Sequence, residues 1–109
     1  MTRIIFHLSQ RGGYRGYTAD GHAQTVEEGE YGMVCAAVSA LTLTGVNALE
    51  AVAGIVPVAG ARDGQLTCFL PPELDDASWD TAQVILETIK TGLTDIQRQY
   101  SEYVRIEVQ

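Results

Sequence analysis

The apolar residues change period along this chain, and that succession restricts the fold more than any other property of the sequence. In residues 3–8, Ile4, Phe6 and Leu8 alternate with Arg3, Ile5 and His7, the two-residue period of a strand. Gly12-Gly13 supplies a tight turn. Residues 14–19 return as a second strand, rich in Tyr and Thr, in which Gly16 marks a bulge or a close backbone approach. The polar, acidic residues 24–31 carry no period and predict an exposed loop. From Val34 onward the step lengthens. Val34, Ala37, Val38, Leu41, Gly45, Ala48 and Val52 recur every three or four residues, the stripe of a helix buried on one side. Gly45 marks a close helix–sheet contact, and Gly54 ends the helix.

Residues 55–59 and 65–70 read as two short strands joined through residues 60–64, and Pro71-Pro72 stops the second. Ser78 is the expected cap of a second helix, with Trp79, Ala82, Ile85, Leu86, Ile89, Leu93 and Ile96 along one face. Residues 103–108 alternate once more. The order ββαββαβ predicts an α+β fold: a single mixed sheet with two helices, one domain spanning residues 1–109. Two helices cover one sheet face, so the other is expected to be buried in a homodimer.

Composition narrows the functional classes. The chain has 109 residues, 46% hydrophobic and 19% charged, enough apolar surface for one core and too much for disorder. A net charge of −7 argues against direct nucleic-acid binding, whose affinity comes from Lys and Arg neutralising phosphates. The opening apolar run is too short for a signal-peptide core. No run is expected to approach the roughly 20 apolar residues that span a bilayer, so no membrane partner is expected. Two cysteines, Cys35 and Cys68, make no disulfide framework and fit free thiols in a reducing, cytoplasmic setting.

One pair of residues stands out for chemistry. Cys35 falls at the start of the first helix, where free backbone N–H groups and the helix dipole favour a thiolate. His22 closes the preceding hairpin, 13 residues earlier, across a loop able to fold back. An imidazole that takes a thiol proton and later gives one to a leaving amine is the minimum machinery of acyl transfer by cysteine, with the helix-start N–H groups available as an oxyanion hole. The bland alternative is a cysteine packed as a small hydrophobe, but Cys35 lies one step off the expected stripe. Cys68 alternates with Leu66 and Leu70 and reads as core. His7 reads as solvated or interfacial, Arg11-Gly12-Gly13 as a turn, and Glu27, Glu28 and Glu30 as solvated loop charges. Nothing has the spacing of metal ligands, and no cofactor is implied.

Gly21-His22-Ala23, followed after the acidic loop by Val34-Cys35-Ala36-Ala37-Val38-Ser39-Ala40-Leu41-Thr42, resembles the ribosomal-processing cysteine protease family, Prp, over almost the whole chain. The resemblance implies a homodimeric endopeptidase. It removes an N-terminal extension from a ribosomal protein precursor, the twenty-seventh protein of the large subunit, with His22 and Cys35 catalytic. Ser39, four residues after Cys35, shares its helix face, and reads as either a supporting residue or a simple helix-packing hydroxyl. The family usually carries Asp three residues before the cysteine, where this chain has Gly32, and the interval from histidine to cysteine is one residue longer. Glu30 is the nearest acid able to substitute. The rival expectation is a weak or silent dimeric ribosome-assembly module that keeps the fold and only binds a partner.

Overall fold

The computed structural model describes residues 1–21 and 29–109. Five strands and two helices follow one another as β1 (Thr2–Leu8), β2 (Tyr14–Asp20), α1 (Gly29–Ala53), β3 (Val58–Arg62), β4 (Gln65–Phe69), α2 (Asp76–Gln99) and β5 (Val104–Val108). The ββαββαβ order and the single mixed sheet agree with the reading of periods. Strand order is β3-β4-β2-β1-β5. β1 pairs antiparallel with β2 and parallel with β5, and β4 joins β2 to the edge strand β3.

The first hairpin closes through Gly12-Gly13, with Ser9 N–H donating to Gly13 C=O. Its register slips at His7/Leu8, leaving Arg15 as the extra residue of a bulge beside Gly16. The inward set of β1 is Thr2, Ile4 and Phe6, which meets Tyr17 and Ala19 of β2 and Leu66 and Cys68 of β4. Both helices lie on this face. α2 presents Trp79, Ala82, Leu86, Ile89 and Leu93, as its three- and four-residue spacing requires. Its cap is Asp75 rather than Ser78: the carboxylate accepts from Ser78 N–H, so the expected cap is instead the capped residue.

A polar contact inside the core fastens the middle of α1 to the sheet. The Tyr17 hydroxyl, fully buried, donates to Thr42 C=O at 2.6 Å. Gly45 is what lets it approach, since a Cβ there would stand 2.3 Å from the Tyr17 oxygen. The residues of α1 that reach the core are Val34, Cys35, Val38, Thr42, Gly45 and Leu49, a stripe rotated from the expected one, with Ala37 and Val52 exposed. Gly54 ends the helix as expected, its N–H returning to Glu50 C=O.

Three further expectations are corrected. β3 lies at Val58–Arg62, three residues later than expected, because Asp63-Gly64 forms a two-residue hairpin loop that pairs Arg62 with Gln65. α1 starts at Gly29, so residues 29–31 are helical and not loop. And α1 is long and apolar enough, by length and composition, to cross a bilayer, with mean hydropathy 1.6 and a third of that window buried. Here its inner side serves the core, while Met33 and Leu43 stand exposed on its outer side. The face of the sheet turned away from the helices carries half-buried Ile5, His7, Thr18 and Phe69, flanked by the Arg3–Glu107 ion pair.

Candidate functional site

The early start of α1 changes the surroundings of Cys35. Counting from Gly29, Cys35 is the seventh helical residue and closes the second turn. The free N–H groups of the helix belong to its first turn and the dipole field fades within that turn, so neither reaches Cys35 as the sequence suggested. The cysteine is on the buried stripe and only 6% exposed. Its sulfur points at the sheet where β1 begins, with Thr2 Oγ1 3.8 Å from Sγ. Thr2 is itself 1% exposed, and its hydroxyl donates to Gly21 C=O at 3.4 Å. The sulfur therefore occupies a junction of three elements: the second turn of α1, the first residue of β1, and the chain as it leaves β2.

His22 falls outside the described residues, as do Glu27 and Glu28. Its neighbour Gly21 is described, and its geometry is demanding. Gly21 has φ 87°, and a Cβ there would lie 2.5 Å from Met1 C=O, so only glycine fits. Its N–H donates to Gly64 C=O in the β3–β4 turn at 3.1 Å. The exit of the chain toward His22 is thus fixed beside Thr2.

The other residues singled out separate into near and far. Ser39 lies one turn beyond Cys35 on the same side of α1 and is half-buried. Gly32 precedes Cys35 by three residues, so an acid there would share the cysteine's face; glycine offers none. Glu30, five residues before, is turned about 140° around the helix from Cys35, and its carboxylate accepts instead from the Tyr103 hydroxyl at 3.3 Å. The Tyr31 ring packs on Tyr103 with centroids 5.4 Å apart. Together these contacts dock the start of α1 on the start of β5. His7 stands on the open sheet face, its Nε2 3.2 Å from Thr18 Oγ1 and its ring against Phe69. Burial, then the charge of Arg15, lowers its pKa.

Cys68 is core, as its alternation indicated: 1% exposed, with burial pushing its thiol up to about 11. Both cysteines are free. Limited iodoacetamide labelling at neutral pH, read by peptide mapping, is expected to modify Cys35 well before Cys68, because Cys68 stays protonated and enclosed. Faster modification of Cys68 would reverse that ranking.

Sequence reasoning missed Thr2. Its signal was available: it shares the period of Ile4 and Phe6, so a hydroxyl stands on an otherwise apolar face. What a thiol held at such a junction can do is act as a nucleophile, which makes cysteine hydrolases the class for comparison.

The profile of the family described as cysteine protease Prp matches residues 1–105. The ribosomal processing cysteine protease Prp of Bacillus subtilis (strain 168) is 30% identical over 108 residues, covering 97% of this chain and 96% of that protein. Two crystal structures of the essential ribosomal processing protease Prp from S. aureus are also similar, each aligned over 100% of both chains at 26% identity. One, in complex with a substrate peptide, has a TM-score of 0.85, and the other, with a covalently linked product peptide, 0.80. The chain belongs to the Prp family of ribosomal-processing cysteine proteases. It is a cysteine protease.

Proposed function

We propose that Cys35 is the nucleophile and His22 the base of an endopeptidase that trims the N-terminal extension of a large-subunit ribosomal protein, the twenty-seventh. The observation that carries this reading is the position of Cys35 Sγ beside Thr2, where the chain leaves β2 one residue before His22. The imidazole takes the thiol proton, and the thiolate attacks the scissile carbonyl carbon. The tetrahedral intermediate collapses as the imidazolium gives its proton to the leaving amine. Water then hydrolyses the thioester, with the same imidazole as base. The covalently linked product peptide in the S. aureus protein is consistent with a cysteine that bonds to its substrate. Ser39 supports the pair from its own helix face. Glu30, turned away and held by Tyr103, contributes to docking α1.

The enzyme works in the cytoplasm as a homodimer and binds its substrate as protein, without direct nucleic-acid contact. Two free thiols and a net charge of −7 support that setting. The open sheet face, with half-buried Ile5 and Phe69, supports a two-fold partner. Incubating the purified protein with the precursor and reading the products by mass spectrometry tests the function. One cut that removes the extension is expected. A precursor that is bound but left whole overturns the reading in favour of a partner-binding module.

A further inference from the structure

We infer that Thr2 is a positioning residue for the reaction: its hydroxyl holds the Cys35 sulfur and switches hydrogen-bond partner as that sulfur ionises. The inference rests on Cys35 being the nucleophile. Three observations carry it. Thr2 Oγ1 lies 3.8 Å from Cys35 Sγ, with either atom able to donate. The same oxygen can donate to Gly21 C=O at 3.4 Å. And Thr2 is 1% exposed and its contact with the sulfur is buried, so bulk water does not compete for that contact.

A hydroxyl has one proton to give and lone pairs to accept with. In the thiol state Cys35 S–H donates to Thr2 Oγ1 while Thr2 O–H donates to Gly21 C=O, a chain of two hydrogen bonds running from sulfur to the end of β2. When the sulfur loses its proton to the base, it becomes an acceptor. Rotation about the Thr2 Cβ–Oγ1 bond then turns the hydroxyl proton from Gly21 C=O to Sγ, a charge-assisted bond stronger than the neutral one it replaces. Gly21 is an exposed residue, so water can take the place of the hydroxyl at its carbonyl. Apart from the thiol proton passing to the base, only hydrogen bonds change, and no proton leaves Thr2.

The hydroxyl is well placed for this. Thr2 is the first residue of β1, an interior strand, and its N–H donates to Tyr103 C=O at 2.8 Å. Rigid strands hold such groups more accurately than loops do. Val has nearly the shape of Thr but cannot donate, whereas Ser keeps the hydroxyl and loses a methyl group.

The test uses the full-length protein with a fluorogenic peptide spanning the extension's cleavage site. Thr2→Val is expected to lower kcat by roughly tenfold or more, as for loss of a hydrogen bond to a charged group, with KM unchanged. Iodoacetamide reactivity of Cys35 at neutral pH should fall in parallel. Thr2→Ser should recover kcat to within roughly threefold of the parent. Thermal unfolding of each variant separates this from damage to the fold, which would lower activity in proportion to melting and would not be rescued by Ser. Unchanged kcat and labelling in Thr2→Val, with Cys35→Ala inactive, overturns the role of Thr2 alone. Activity retained in Cys35→Ala overturns both readings.

Discussion

Alanine at Cys35 or at His22 is expected to lower kcat/KM by at least about a thousandfold, and alanine at both by no more than the worse single change. The reason is that, on the proposed mechanism, nucleophile and base perform one act. Without the imidazole nothing takes the thiol proton during attack, and without the thiol the imidazole has nothing to activate, so the second loss finds no catalysis left to remove. Stability is expected to move little. Cys35→Ala deletes one small buried atom, for which a cost of about 1 kcal/mol is appropriate, against a fold whose main core residues lie elsewhere. Steady-state cleavage of a precursor peptide by the two single variants and the double variant checks this. Losses that multiply would mean that the two residues act independently, and turnover retained in either single variant would remove that residue from the mechanism.

Gly45→Ala is expected to be the most damaging small change to the fold. Alanine normally favours a helix over glycine by about 1 kcal/mol, so propensity alone predicts stabilisation. The structure predicts the opposite. The added Cβ would stand 2.3 Å from the Tyr17 oxygen and within 3.2 Å of Ile89 Cγ1, and Tyr17, fully buried between sheet and helix, has nowhere to retreat. Overpacking costs about 1–3 kcal/mol. Loss of the Tyr17–Thr42 bond, which strands a buried hydroxyl, costs about 1–3 more. After the gain of about 1 kcal/mol in helix propensity, the net expectation is a loss of about 1–5 kcal/mol, a fall in Tm on the order of 4 °C or more for a domain of this size. Tyr17→Phe in the Gly45→Ala background removes the crowding atom and should restore part of the loss, although Tyr17→Phe alone is destabilising. A Gly45→Ala variant as stable as the parent would show that the contact yields easily.

The elements that could be read from the sequence are those whose burial has a period. The inward set of β1, the apolar face of α2 and the glycine stop of α1 all declare themselves locally. β3 does not, because none of its five residues is buried; the apolar Ile55 and Val56 drew the expected strand toward them instead. The informative pair was Asp63-Gly64, whose two-residue loop fixes the register of both flanking strands. The start of α1 was obscured by its polarity, although Glu30 in a first helical turn is favourable against the dipole. Cys35 and His22 were singled out by resemblance and residue type. The contact of Cys35 with Thr2 joins positions 33 apart in the chain, and no local pattern encodes that distance. The same holds for Tyr103 and Glu30, which are 73 apart.

The Tyr17 hydroxyl against α1 removes a freedom that apolar packing leaves open. A helix lying on a sheet of small and branched side chains can turn by one residue, or slide by one turn, and still find oil to rest on. A hydrogen bond aimed at one carbonyl, through the gap above one glycine, has a single solution. The backbone N–H of Val46 also faces that phenol oxygen, so the phenol is seated in the helix's own ladder like a key in a slotted shaft. Cys35 lies ten residues up the same shaft, about 15 Å away at 1.5 Å per residue. Over such a lever a rotation of a few degrees at the key becomes a displacement of the sulfur comparable with the tolerance of a reacting geometry. On the proposed mechanism, the accuracy with which the thiol meets its substrate is therefore set deep in the core, by Tyr17 and Gly45.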